Sequence, residues 1–79
     1  MEKQELNLLL EVFKQIRDNQ LRWCEKPLML TNDSQTIYLT SSFETINCCE
    51  IDLYLQAANA LSVHFYFDCS DGKLRVAFF

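Results

Sequence analysis

Phe65-Tyr66-Phe67-Asp68-Cys69-Ser70-Asp71-Gly72-Lys73-Leu74-Arg75-Val76-Ala77-Phe78-Phe79 is the stretch on which the fold depends. Asp71-Gly72 supplies the positive φ values that a two-residue type I′ turn requires. A turn fixed there pairs Ser70 with Lys73 and dictates every other pair. Phe67 then meets Val76 and Phe65 meets Phe78 on one face, while Asp68 meets Arg75 and Tyr66 meets Ala77 on the other. Apolar partners and an opposite-charge pair agree on one register, so turn chemistry and cross-strand chemistry predict the same hairpin.

The segment before it reads two ways. Ile51-Asp52-Leu53-Tyr54-Leu55-Gln56 alternates like a strand. On a helical wheel, however, Asp52, Gln56 and Asn59 fall on one narrow stripe, with Leu53, Ala57, Ala60 and Leu61 opposite. Asn47 stands three residues before Glu50, at capping-box spacing, and the alanine-rich end favours helix by propensity. The balance predicts a helix over residues 47–61. Further back, short strands are expected at Leu28–Thr31 and Thr36–Thr40, around the polar turn Asn32-Asp33-Ser34-Gln35. That loop sets Leu30 opposite Ile37, Leu28 opposite Leu39, and Met29 opposite Tyr38 on the other face.

Leu6, Leu9, Leu10, Phe13 and Ile16 recur at spacings of three and four, widened by Leu8 and Val12, which predicts an amphipathic helix from residue 3 to about 22. The lowered propensity around Asn19 and the position of Pro27 put its end between residues 19 and 25. The order is therefore α-β-β-α-β-β. It is expected to form a single α+β domain over residues 1–79, a four-stranded antiparallel sheet with two helices packed on it.

With 49% apolar residues, one glycine and one proline, the composition is that of a globular chain and excludes disorder. No apolar run approaches the roughly 18–20 residues of a membrane-spanning helix. The start, Met1-Glu2-Lys3-Gln4-Glu5, lacks the basic opening of a signal peptide, so a cytoplasmic, reducing location is expected. Cys24, Cys48, Cys49 and Cys69 are then expected as free thiols. Residues 1–27 hold five acids and five bases, whereas residues 28–72 hold six acids (Asp33, Glu44, Glu50, Asp52, Asp68, Asp71) and no lysine or arginine. The net charge of −4 favours basic partners and opposes nucleic acid.

Candidate chemistry is sparse. The only histidine is His64, and Cys69, the nearest thiol, is placed by the hairpin register in the core with Phe65 and Phe67, away from it. A small zinc or thiol site using Cys48, Cys49, Cys69 and His64 is one alternative, but the paired-ligand spacing of a zinc knuckle is missing. A transcriptional regulator using Lys14, Arg17, Arg22 and Lys26 is another, opposed by the acids interleaved among them. Glu50 and Asp52, two residues apart, do not share a helical face and read as solvated charge. No catalytic, cofactor or metal residue is assigned.

What remains is surface recognition. The registers place Met29, Tyr38, His64, Tyr66 and Phe79 on a sheet face that should be polar if it were free. Burial under a helix or against a second copy, as a homodimer, stands beside a partner-binding role for that face. The acids between residues 33 and 71, if set along one side, would steer the chain toward a basic or nucleic-acid-binding groove of another protein. The expectation is a non-catalytic protein-binding module, an inhibitor or regulatory adaptor acting by occlusion. It would dock through Tyr38, Tyr66, Asp68 and Phe79, with Asp52, Gln56 and Asn59 as polar contacts, and with no direct contact to nucleic acid or membrane. That class includes the small acidic proteins that phages and mobile elements direct against host defence, anti-CRISPR proteins among them.

Overall fold

Leucine and phenylalanine spacing builds the first helix, and a buried leucine ends it. In the computed structural model, which describes residues 1–42 and 46–79, α1 runs Lys3–Asn19. Leu6, Leu9, Phe13 and Ile16 are its buried residues. Leu8 is 52% exposed, so the apolar stripe is narrower than its composition suggests. The helix stops short of residue 22 because Gln20 and Leu21 both donate to the Ile16 carbonyl, which turns the Leu21 side chain into the core.

β1 (Met29–Asn32) and β2 (Ile37–Thr40) form the first hairpin, shifted by two from the expected pairing. Leu30 faces Leu39, Thr31 faces Tyr38, and Asn32 faces Ile37. Asp33 causes the shift. Its Oδ1 accepts the backbone N–H of Gln35 at 2.8 Å and of Thr36 at 2.7 Å, and its own N–H donates to the Thr36 carbonyl at 2.9 Å. This Asx-type turn closes the loop over residues 33–36 rather than 32–35. A shift of two preserves the faces, so Leu30 still points inward and Met29 outward.

The ambiguous segment is a helix. α2 runs Cys48–Ala60, and the Asn47 side chain caps it, accepting from Cys49 N–H at 2.9 Å and Glu50 N–H at 3.2 Å. Its buried face differs from the wheel reading, consisting of Glu50, Ile51, Tyr54 and Ala58, with Ala60 and Leu61 exposed. Glu50 is not solvated charge. It is 2% exposed, and its Oε2 accepts the Leu28 backbone N–H at 2.8 Å, tying α2 to the entry of β1. Ser62, at φ 57°, closes the helix. Its N–H donates to the Asn59 carbonyl and the next N–H, of Val63, to the Ala58 carbonyl, which is the Schellman pattern with serine at the usual glycine site.

β3 (Phe65–Ser70) and β4 (Lys73–Phe78) pair in the predicted register at every position, around Asp71 (φ 54°) and Gly72 (φ 73°). The sheet order is β1-β2-β4-β3, antiparallel throughout. Phe13 joins the two layers, lying edge-on to Tyr54 and to Phe78, each with ring centroids 4.9 Å apart. Burial, with the Glu50 carboxylate nearby, pushes the Tyr54 phenol up to about 12. The buried residues of both helices pack with Ile37, Leu39, Val76 and Phe78, which share one sheet face. Both helices therefore lie on the same side. Phe67 and Cys69 belong to that side too, but both are exposed, because β3 is an edge and the helix layer ends before it. Cys69 is thus not core packing. No described helix is long and apolar enough to cross a membrane.

Candidate functional site

The face of the sheet away from the helices is built by strand alternation. Taken in sheet order, one row across it is Thr31, Tyr38, Ala77, Tyr66, and the next is Met29, Thr40, Arg75, Asp68. A bond of 2.9 Å from Phe79 N–H to the His64 carbonyl extends the register by one pair and adds those two rings. Ala77 is fully buried although it faces outward, between the tyrosines on either side of it. Met29 is 62% exposed, Tyr66 49% and Phe79 47%. Phe79 bridges its neighbours, 5.5 Å from the Tyr66 ring and stacked 6.0 Å from His64.

Polar contacts fix the remaining side chains. The Arg75 guanidinium lies 5.0 Å over the Tyr38 ring, and its Nη2 donates to Asp68 Oδ2 at 2.6 Å. Asp68 Oδ1 accepts the Cys69 N–H at 2.8 Å. The Arg75 hydrogen bond first, then that backbone N–H, holds the Asp68 carboxyl below its ordinary range. Arg75 Nε is buried and has no acceptor among the described residues. At the other end of Tyr38, its hydroxyl donates to Asp33 Oδ2 at 3.1 Å. The Asp33 carboxyl is likewise lowered, chiefly by the N–H groups of Gln35 and Thr36. The tyrosine is therefore held at both its ring and its hydroxyl.

Of the residues singled out in the sequence, Tyr38, Tyr66, Asp68 and Phe79 come together here. Asp52, Gln56 and Asn59 do not. They line the exposed side of α2, where Gln56 Nε2 donates to Asp52 Oδ2 at 2.7 Å, and α2 packs on the opposite face of the sheet. The two sets cannot contribute to one flat contact. The acids also fail to form one side. Glu50 is buried, Asp68 is paired with Arg75, and Asp33 and Asp71 sit in turns at opposite ends of the sheet. Glu44 lies outside the described residues. Arg75 was missed as a surface contributor, although its predicted pairing with Asp68 already placed it on this face.

Elsewhere the surface offers less chemistry. Among the described residues no three His, Cys, Asp or Glu side chains converge as metal ligands do. An open cleft of about 470 Å³ is lined by Trp23, Cys24, Ile46 and Glu50 among others. Burial, and then the Glu50 carboxylate, push the Cys24 thiol up, which disfavours the nucleophilic thiolate. Around α1, Arg17 approaches Asp18 at 3.6 Å and Arg22 Nε donates to the Asp18 carbonyl at 2.8 Å, so both are engaged locally.

Fold and surface together define a two-layer α+β domain with one helix-covered sheet face and one aromatic face that no described residue covers. Comparison with protein-family models, curated proteins and solved structures finds no match to this chain.

Proposed function

We propose that this chain is a non-catalytic protein-binding module, an inhibitor or regulatory adaptor that occludes a partner protein by docking its uncovered sheet face. The observation that carries this reading is the chemistry of that face. A free antiparallel face is ordinarily polar. This one presents Met29, Tyr66 and Phe79 roughly half exposed or more, beside a clamped Tyr38 and an Arg75. Tyrosine, phenylalanine, methionine and arginine are the residues enriched at interface centres. Covering the remaining exposed half of Tyr66 or Phe79 is worth about 2 kcal/mol each in transferred apolar surface. Tyr38 is held by Asp33 and Arg75, and the Tyr66 and Phe79 rings pack on each other, which limits the side-chain entropy lost on docking.

The net charge of −4 favours a partner with a basic or nucleic-acid-binding groove and raises the encounter rate with it. Four free thiols support work in a reducing compartment, the cytoplasm. The finer assignment is to the small acidic inhibitors of phages and mobile elements, anti-CRISPR proteins among them. The acidity, a net charge of −4, is what supports it.

Two surface variants test the reading. One carries Tyr38→Ser, Tyr66→Ser and Phe79→Ser; the other carries Asp52→Ala, Gln56→Ala and Asn59→Ala. With folding checked by circular dichroism, the first should lose a host protein captured by the unaltered chain and the second should keep it. Loss by the α2 variant alone, or retention by both, rejects the sheet face as the docking surface.

A further inference from the structure

We infer that β3 pairs edge to edge with β3 of a second copy of this chain, antiparallel, about a two-fold axis at Tyr66. This goes beyond docking of a foreign partner on the sheet face and does not depend on it.

The backbone selects the strand. The Phe79 to His64 hydrogen bond marks those two residues as a directly bonded antiparallel pair. Alternation then turns the backbone groups of Tyr66, Asp68 and Ser70 toward β4, and those of Phe65, Phe67 and Cys69 toward the open edge. Asp68 Oδ1 already takes the Cys69 N–H at 2.8 Å. Among the described residues, the N–H and C=O of Phe65 and Phe67, with the Cys69 C=O, are left unpaired. The opposite edge, β1, is four residues long, follows Pro27 closely, and runs into the Asp33 turn. β3 has six residues, no proline and no lysine, and carries Phe67 at 49% exposure. It has none of the devices that blunt an edge against pairing except the Asp68 contact at its end.

The side chains select the partner. Read backwards against itself about Tyr66, the strand sets Phe65 opposite the partner's Phe67, and the two exchange both backbone bonds. Symmetry repeats the exchange, using both backbone groups of Phe65 and of Phe67 in each copy. On the outer face His64 falls opposite the partner's Asp68, an imidazole N–H donor facing a carboxylate, and Tyr66 faces the partner's Tyr66. On the helix side, Phe65 and Phe67, already edge-on at 6.3 Å, meet the same pair from the second copy. An axis at Phe67 would instead require the Cys69 N–H that Asp68 occupies. The Tyr66 axis gives an eight-stranded sheet whose aromatic face runs unbroken across both copies. An interface of two short strands is at the small end for specific association, which implies a dissociation constant on the order of micromolar.

Sedimentation velocity over about 1–300 μM, under reducing conditions, reads the association. The mass should rise from 9.3 kDa toward twice that value. Phe67→Pro removes one of the required N–H groups at an edge that tolerates proline, and should abolish the rise with the circular dichroism spectrum retained. His64→Asp sets like charges opposite each other twice, leaves the backbone alone, and should weaken the dimer by about tenfold, more at low salt. With Cys24, Cys48, Cys49 and Cys69 changed to Ser, Tyr66→Cys should form a disulfide-linked dimer on mild oxidation, and Ser70→Cys should not. A mass of 9.3 kDa at every concentration overturns the proposal. So does equal cross-linking at both positions. A monomeric chain that loses a captured foreign protein on Phe67→Pro would also overturn it, assigning the edge to that protein's strand instead.

Discussion

Glu50→Ala should be among the most damaging single substitutions of an acidic residue in this chain. The carboxylate is 2% exposed and accepts the Leu28 N–H at 2.8 Å across 22 residues of sequence. Truncation leaves that buried donor without an acceptor, at a cost of about 1–3 kcal/mol. Losing the buried side-chain stem adds roughly 1 kcal/mol, partly offset because the carboxylate no longer has to be desolvated. A chain of this size has a total stability of roughly 4–12 kcal/mol, so the loss is a large fraction of it. Glu50→Gln keeps an acceptor oxygen in place and exchanges a charge-assisted bond for a neutral one, costing about 1 kcal/mol. Urea denaturation measures both, with an unchanged m value confirming that the native and unfolded states keep their surface areas. Hydrogen exchange should show the damage first at β1, whose entry the bond anchors. Glu50→Ala within about 0.5 kcal/mol of the unaltered chain, the ordinary range for surface sites, would refute the reasoning. So would equal losses for Ala and Gln.

Other consequences follow from the same structure. Ser62→Gly relieves a left-handed conformation that costs a non-glycine residue about 1 kcal/mol, and should stabilise the fold by up to that amount; thermal unfolding at a lower midpoint would contradict the Schellman assignment. The carboxyls of Asp33 and Asp68 are both lowered in the folded chain, so their contribution is complete above their unfolded value of about 3.9 and is lost as pH falls through the lower folded values. Stability should therefore decline below about pH 4, and Asp68→Asn should flatten that decline; an identical acid profile in the variant would show that the Arg75 pair contributes nothing measurable.

How much was legible in the sequence depended on whether the signal was local. Asp71-Gly72 fixed its own turn, and the pairs beside it had no alternative register, so β3 and β4 were readable to the residue. The Asp33 turn was misread by one position because its register is decided by a side chain bonding its own loop, not by apolar matching. Met29, Tyr38, Tyr66 and Phe79 were correctly gathered on one face, since a register error of two leaves strand faces intact. The grouping of Asp52, Gln56 and Asn59 with them failed for a different reason. Nothing in a helix's own periodicity says which side of a sheet it will cover. Glu50 was hidden for the same cause, since its partner, the Leu28 N–H, lies in a distant segment and leaves no trace in spacing.

Chemical-shift mapping on the isotopically labelled chain, titrated with a protein that it retains from a host lysate, tests the docking surface most directly. The largest changes should centre on Thr31, Tyr38, Ala77 and Tyr66, the row that spans all four strands of the uncovered face. Changes confined to Asp52, Gln56 and Asn59 on α2, or to the cleft around Trp23, would contradict it.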